Sequence, residues 1–198
     1  MAIFLLWFII IFAAAFEILL LFVLGEYIYA TTIRHQYPAV SACVEHRRAI
    51  VDEIIKHYPN TKTIVDIGAG HGRLARAMGR ISNVHIIAVE NIGFSVFVMC
   101  VLNHIFDAQN VQVVYADAFE YIKKSPRKYD VGVAYLGPAM NARLGDIANN
   151  FRVIITLDAE IPGMRATRII DISDGKCTYY PHVGKYPHRL FIYEFNKI

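Results

Sequence analysis

The segment whose residue types best suit chemistry is Thr63–Arg73, TIVDIGAGHGR. A short apolar strand pattern that contains Asp66 leads into alternating glycines at Gly68, Gly70 and Gly72, and a helical pattern follows. Glycine lets the backbone turn sharply and lets a ligand approach the main chain closely. The N-terminus of the following helix offers free N–H groups and a partial positive charge. The segment therefore predicts a binding site for a phosphate or a carboxylate.

The spacing of the glycines separates two kinds of ligand. Dinucleotide-binding loops carry G-x-G-x-x-G, in which the third glycine packs the helix against the strand. Here the spacing is G-x-G-x-G, and Asp66 lies two residues before the first glycine. The loop therefore departs from the NAD pattern. We expect Asp66 to cap the glycine turn and also to order the ligand-binding loop.

Two further acidic residues follow the next two predicted strands. Glu90 closes HIIAVE (85–90), where a carboxylate can accept hydrogen bonds from both hydroxyls of a ribose, including that of NAD. Asp117 follows VQVVYA (111–116). Because the carboxyl ends of parallel strands meet at one edge of a sheet, we expect the glycine loop and both acids to line one crevice.

Each of these residues also has a simpler structural interpretation. Glu90 could be a solvated strand end, and Asp117 could be only the N-cap of the next helix, a role that Asp fills well. His71 and Arg73 could be exposed loop residues. Arg73 opens a helix, where a cation is unfavourable for the helix dipole. It could instead pair with an acid or help to hold a ligand carboxylate.

The pattern between residues 44 and 157 alternates short apolar runs with helical segments. It predicts strands at 63–68, 85–90, 111–116, 129–135 and 151–157, and helices at 44–57, 73–81, 94–106, 118–124 and 139–149. The helix at 94–106 is almost wholly apolar, so we expect it to be buried. Two further strand patterns, 166–173 and 188–195, have no helix between them and predict an antiparallel hairpin. The predicted fold class is α/β: a Rossmann-like, doubly wound, mostly parallel sheet that ends in this hairpin.

The chain is 56% hydrophobic and only 19% charged, and the apolar excess is concentrated near the N-terminus. Residues 3–24 carry a single charge, Glu17, and as a helix would rise about 33 Å, enough to cross a bilayer. No Lys or Arg precedes the run, which favours a retained anchor over a cleaved signal peptide. We predict a transmembrane anchor at 1–25, a connector at 26–43 and a soluble domain at 44–198. The positive-inside rule places that domain in the cytoplasm, because the basic residues follow the helix: Arg34, Arg47, Arg48 and Lys56.

Charge and cysteine content argue against several other classes. The net charge of +3 is small and the basic residues are scattered, so nucleic acid is not an expected partner. Cys43, Cys100 and Cys177 lie far apart, which disfavours a disulfide framework or a zinc site. The eight histidines are dispersed without an H-E-x-x-H pair, so no metal site is expected.

The glycine loop and the acids resemble motifs of the class I methyltransferases that use S-adenosylmethionine (SAM). In that family the loop holds the methionine portion of SAM, and an acid after the third strand lies against the adenine amino group. The resemblance implies SAM as the cofactor. It also implies a set of cofactor-binding residues: Asp66, Gly68, Ala69, Gly70, Gly72, Arg73, Glu90, Asn91, Asp117 and Ala118.

The layout is similar to a narrower family, the membrane-anchored lysine methyltransferases that act on the ATP synthase c subunit and the adenine nucleotide translocase, with their bacterial relatives. Those proteins share an anchor, a Tyr/Pro-containing stretch before the domain, a D-x-G-S-G-D-G-R loop and a strand end that reads G-x-E-x-N. Residues 66–73 match that loop except at Ala69 and His71, where His71 replaces an acid. Residues 88–91, AVEN, resemble the strand end, and Tyr37-Pro38 resembles the earlier stretch.

This resemblance implies a methyltransferase that transfers a methyl group to a lysine of a membrane protein. Apolar and aromatic walls would desolvate the lysine amine, and the candidates for such a wall are Tyr135 and Tyr37. Either tyrosine could instead serve only packing. The alternatives are methylation of a lipid or other small apolar molecule, and an inactive SAM-fold scaffold at the membrane. The segment Ala134–Pro138 lacks the [DN]-P-P-[FY] motif of other amino-methylating enzymes, which disfavours adenine-N6 or glutamine methylation.

Overall fold

The computed structural model describes residues 2–28, 42–172 and 188–195. The chain forms two compact units, 1–38 and 39–198. Tyr37, Pro38, Cys177 and most of the predicted connector lie outside the described residues. The division into an anchor, a connector and a domain at 44–198 therefore stays a prediction.

The N-terminal unit contains one long helix, α1 (Ala2–Ile28). Its segment Ile3–Gly25 has a mean hydropathy of 2.8, and almost all of its side chains are exposed. By length and composition this helix could cross a bilayer, although a signal sequence near the N-terminus would meet the same criteria.

The second unit is built on a seven-stranded sheet in the order β3-β2-β1-β4-β5-β7-β6. The first five strands are parallel, and β7 pairs antiparallel with both β5 and β6. The predicted mostly parallel sheet with its terminal antiparallel hairpin is confirmed. The strands are β1 (Thr63–Ile67), β2 (His85–Glu90), β3 (Val111–Tyr115), β4 (Tyr129–Ala134), β5 (Phe151–Leu157), β6 (Arg168–Ile172) and β7 (His188–Glu194).

Five helices and a 3₁₀ segment are described in this unit: α2 (Val44–His57), α3 (Arg73–Met78), α4 (Gly93–Ile105), α5 (Ala118–Lys124), α6 (Pro138–Asn141) and a 3₁₀ helix (Ala142–Asn150). The helix predicted at 139–149 is therefore α-helical only in its first turn. Gly145 and the final pair of asparagines are weak helix formers, which accounts for the looser winding.

The two faces of the sheet each carry a buried apolar core. The first core lies under α2, α3 and α4 and includes Ile64 of β1 and Ile86 of β2. The second lies under α5 and the 3₁₀ helix. Because side chains alternate along a strand, Asp66 and Glu90 lie on the same face of the sheet as the first core.

The apolar helix α4 was expected to be buried, but most of its residues are not. Only Ser95 and Met99 of this helix are buried. Since β3 is an edge strand, α4 packs on β2 and β3 with its inner side, and Arg76 of α3 contacts it through Asn103 and the Phe106 ring. The large apolar side chains that stay exposed, which we call the outer face of α4, are Phe97, Val101, Ile105 and Phe106, 41–67% exposed.

A polar network joins α2 to the terminal hairpin. Glu53 is 5% exposed and accepts a hydrogen bond from the guanidinium of Arg168, which also donates to the Tyr58 hydroxyl at 3.0 Å. The Tyr58 hydroxyl donates in turn to Glu194 at 2.6 Å. Burial and then this bond to Glu194 raise the pKa of Tyr58 to about 12. The network therefore holds β6 and β7 against the first core through one buried carboxylate.

Replacing Arg168 with Met should destabilise the protein because the buried Glu53 carboxylate would lose its hydrogen-bonded guanidinium and keep only the imidazole of His57, 3.7 Å away, as an ion-pair partner among the described residues. Loss of one partner of a buried pair costs about 3–5 kcal/mol, and the one-third exposure of Arg168 reduces the expected loss to about 2–3 kcal/mol. The melting temperature of the full chain in detergent should fall by about 5–10 °C. The double variant Arg168→Met/Glu53→Gln should recover most of this loss, and equal melting temperatures of single and double variants would contradict the assignment.

Candidate functional site

The glycine loop forms a left-handed turn between β1 and α3. Gly68, Gly70 and Gly72 have φ angles of +73°, +55° and +71°, a region that side-chain-bearing residues rarely adopt. The backbone N–H groups of Gly68 and Ala69 both donate to the Val89 carbonyl of β2 at 3.0 Å. The loop is thereby folded back onto the neighbouring strand end.

At two of these positions, close packing is a second reason why the residue must be glycine. A Cβ atom at Gly68 would lie 2.7 Å from Cδ2 of Leu136, and one at Gly72 would lie 2.6 Å from Sδ of Met99. Arg76 Nη1 would be 3.1 Å from the same Cβ at Gly72. The loop therefore depends on glycine both for its backbone angles and for the space that side chains of other elements occupy.

Glu90 joins this loop to the end of β2. One carboxylate oxygen accepts the Gly70 N–H at 2.7 Å, and the other accepts the N–H groups of Asn91 and Ile92 at 2.8 and 2.9 Å. The side chain is 6% exposed, so its interpretation as a solvated strand end is wrong. Two carboxylate oxygens offer about four acceptor positions, and three donors leave capacity for a ligand hydroxyl.

Asp66 lies close to Glu90 and is almost fully buried, at 2% exposure. Its Oδ2 atom has no hydrogen-bond partner among the described residues. Burial, followed by the charge of Glu90, raises the pKa of Asp66 to about 7, against the opposing effect of a hydrogen bond from the Ala75 backbone. A cationic ligand group beside this buried, unpartnered carboxylate would stabilise its charged form and lower its pKa.

Asp117 acts as the N-cap of α5, as its simpler interpretation required. Its Oδ1 accepts the N–H groups of Phe119 and Glu120 at 2.9 and 3.1 Å. Its Oδ2 lies 3.6 Å from a guanidinium nitrogen of Arg143, which stacks on the Phe119 ring at 4.0 Å. Ala118 begins the helix and is buried. A ligand role for Asp117 would use Oδ2 and stays a prediction.

Arginines surround the outer side of the loop. Arg73 is exposed at the start of α3. Burial lowers the pKa of Arg47 and of Arg76, and the charge of Arg73 is the next largest cause in both cases. Among the described residues, no carboxylate lies within 4.0 Å of these three guanidinium groups. The rim of the loop is thus a region of unbalanced positive charge that suits an anionic group.

His71, in the middle of the loop, packs edge-on against Phe94 with ring centroids 6.5 Å apart. Burial and then the charge of Arg73 lower its pKa, so the neutral imidazole is favoured. In this form His71 adds no further positive charge to the rim.

Tyr135 follows β4 at the same edge of the sheet and is half-buried against the first core. Its ring is edge-on to His46, with centroids 6.2 Å apart, and His46 in turn contacts His188 at 4.3 Å. Neither histidine was predicted from the sequence to be a site residue. Asp158, which follows β5 and pairs with His188, could have been found as another acid after a strand.

A groove of about 690 Å³ lies beside α5, where its lining includes Ile87 of β2 and Gln112 of β3. It reaches the predicted cofactor residues at Asp117, whereas the glycine loop and Glu90 do not line it. The candidate site is therefore defined by the converging polar groups and not by this groove.

No known protein-family profile matches the chain, and no curated protein sequence matches it. Several solved structures do resemble the chain in fold. The chain resembles an RNA methyltransferase from Salinibacter ruber, crystallised with S-adenosyl-L-homocysteine, with a TM-score of 0.61 and 16% identity over 80% of this chain and 95% of that one. An rRNA methylase from Streptococcus thermophilus gives 0.59 and 11% over 80% and 100%. A putative O-methyltransferase from Klebsiella pneumoniae gives 0.53 and 16% over 61% and 58%.

The chain shares its α/β, Rossmann-like fold with these solved methyltransferases. The predicted fold class and this broad resemblance are confirmed, while identities of 11–16% carry no information on the substrate. Two of the three neighbours are RNA methyltransferases by name. The exclusion of nucleic acid inferred from the net charge is therefore not supported.

Replacing Gly72 with Ala should destabilise the protein, because Ala is strained at a φ of +71° and its Cβ would overlap Met99. We expect a loss of about 1–3 kcal/mol, measured as a lower melting temperature. Gly145→Ala is the matched control, since its Cβ would meet only Met164 Cε at an ordinary 3.6 Å. Equal melting temperatures for the two variants would show that the loop tolerates a side chain.

Replacing Asp66 with Asn should stabilise the ligand-free protein at pH 8. The pKa of Asp66 is about 7 in the folded state against an ordinary 3.8, so the folded state binds more protons between these values. Stability of the wild-type protein should therefore fall through this group as pH rises from 4 to 8. The full effect is on the order of 2–4 kcal/mol. Unfolding at pH 8 and pH 5 should show a gain for the variant that shrinks at the lower pH.

Asp130→Asn is the control of opposite sign. Burial would raise the pKa of Asp130, but hydrogen bonds from the Lys62 and Thr63 backbones outweigh it and lower the pKa. This variant should lose stability at pH 8, and the loss should disappear as pH falls below 4. A gain for both variants, or no pH dependence for Asp66→Asn, would contradict the electrostatic assignment.

Proposed function

We propose that this chain is a SAM-dependent methyltransferase. The observation that carries the proposal is the pairing of a pre-formed glycine loop, held by Glu90, with a buried Asp66 carboxylate whose Oδ2 has no partner among the described residues. The methionine end of SAM presents an ammonium and a carboxylate together. Asp66 inside the site and Arg73 at its rim offer the complementary charges.

The remaining part of the proposed cofactor site follows the strand ends. Glu90 would accept a hydrogen bond from a ribose hydroxyl through its remaining acceptor position, and Asn91 beside it would line the same turn. Asp117 and Ala118 would face the adenine. When bound, SAM supplies a methyl group made electrophilic by the adjacent sulfonium. The chain binds and orients the cofactor so that an acceptor can approach that methyl group in line.

We propose a lysine amine of a membrane protein as the acceptor. The resemblance of residues 66–73 and 88–91 to the anchored lysine methyltransferases supports it, and so does the length and hydropathy of α1. Tyr135, and Tyr37 outside the described residues, would form an aromatic wall that desolvates the amine and lowers its pKa. The helix would hold the domain on the cytoplasmic side of the membrane and raise the local concentration of acceptor.

A lipid or small apolar acceptor is the second candidate. It is favoured by the outer face of α4, which places Phe97, Ile105 and Phe106 in contact with solvent. Exposed apolar side chains grouped in this way are typical of surfaces that meet lipid or another protein. An inactive scaffold is disfavoured because the loop geometry and both acids at the strand ends are intact.

Calorimetric titration of the full chain in detergent with SAM tests the cofactor. Wild-type protein should bind SAM, and Glu90→Ala and Gly70→Arg should each weaken binding at least tenfold, because one removes the loop clamp and the other fills the turn. Glu120→Ala is the matched control, since Glu120 is an exposed acid whose one ion pair within the described part of the chain is with Lys124. A folded wild-type protein that binds no SAM would refute the proposal.

Transfer of a radiolabelled methyl group then tests the acceptor. The protein is incubated with labelled SAM and, in parallel, membrane proteins, extracted lipids and RNA. Label in a protein band that yields methyl-lysine on hydrolysis supports the first acceptor, and label in lipid supports the second. Label in RNA alone would overturn both and bring the activity into line with the named RNA methyltransferase neighbours.

A further inference from the structure

Three side chains far apart in sequence meet at the edge of the sheet where β5 ends. His46 lies in the first turn of α2, Asp158 follows β5, and His188 is the first residue of β7. One nitrogen or oxygen atom from each lies within 4.8 Å of those from the other two. Nδ1 of His188 is 2.9 Å from Oδ2 of Asp158, and the two imidazole rings lie 4.3 Å apart between centroids.

His46 is the unexplained member of this group. It is 2% exposed, and neither of its ring nitrogens has a hydrogen-bond partner among the described residues. Buried polar side chains are nearly always paired, because an unpaired group loses its hydration without compensation. The hydrogen bond between Asp158 and His188 accounts for those two residues and leaves His46 with a buried lone pair.

The donor set suits one class of ligand. Two imidazoles and one carboxylate are typical ligands of Zn²⁺ and of neighbouring divalent transition metals, whereas Mg²⁺ and Ca²⁺ prefer oxygen alone. Donors in a tetrahedral zinc site lie about 3.4 Å apart, given bonds of about 2.1 Å. The three candidate ligand atoms lie within 4.8 Å of one another, and one pair is already 2.9 Å apart, so the separations bracket this value.

We propose that His46, Asp158 and His188 form a binding site for a divalent transition metal, with Zn²⁺ the best match. Three protein ligands leave a fourth position for water or an acceptor group. The site lies beside Tyr135, at the edge of the sheet that also carries the glycine loop. Metal binding would fasten α2 to the end of β5 and the start of β7. The inference goes beyond the proposed function, because it depends only on these three side chains.

The test is metal binding by the full chain, purified in detergent without an affinity tag and stripped with a chelator. Competition with a chromophoric chelator should show one equivalent of Zn²⁺ bound to wild-type protein. His46→Gln, Asp158→Asn and His188→Gln should each weaken binding at least tenfold. Asn is chosen at position 158 because Asp158 has a φ of +62°, which Asn also adopts readily. His104→Gln, at an exposed histidine of α4, is the matched control and should bind as wild type.

A second measurement decides the question if a variant fails to fold by circular dichroism. X-ray absorption of zinc-loaded wild-type protein should show only nitrogen and oxygen ligands with the scattering pattern of two imidazoles. Sulfur ligation would point to Cys43, three residues before His46, and would overturn the proposal. The proposal also fails if folded wild-type protein binds no Zn²⁺ at micromolar concentration, or if His46→Gln binds as tightly as wild type.

Discussion

The carboxylate of Glu90 is the contact on which the candidate site depends. It accepts the Gly70 N–H from the loop after β1 and two N–H groups from its own turn after β2. These bonds tie the glycine loop to the end of the neighbouring strand. They help to hold Gly68, Gly70 and Gly72 in their left-handed conformations. Parallel pairing of β1 and β2 brings the ends together, and burial strengthens the charge-assisted bonds.

The site has negative charge in its interior and positive charge at its rim. Asp66, on the same face as Glu90, is a buried carboxylate with an unsatisfied oxygen among the described atoms, whereas Arg73 and Arg47 leave positive charge at the rim. A site that is negative inside and positive outside is complementary to a zwitterion such as the amino-acid end of SAM. The unfavourable electrostatics of the ligand-free protein would then be relieved on binding, which is a common feature of functional sites.

The elements whose sequence patterns are local were predicted well. β2 and β5 lie at their predicted bounds because strands buried on both faces appear as continuous apolar runs. The same pattern was misleading for α4. This apolar helix packs beside an edge strand and so keeps one side exposed, and no local sequence pattern shows which strand will lie at the edge of the sheet. Glu90 and Asp66 were identified from their spacing, but the unpartnered oxygen of Asp66 follows only from the packing around it. The contact of His46 with His188 joins segments far apart in the chain, so the dispersed histidines carried no signal of it.

The outer face of α4 has a consequence for how the second unit behaves in water. Phe97, Ile105 and Phe106 lie on a surface that does not belong to the apolar N-terminal helix. A protein without that helix would therefore still expose an apolar surface patch, the outer face of α4. Its colloidal behaviour would depend on protein concentration, and the patch would adsorb to detergent, lipid or a second molecule as each became available.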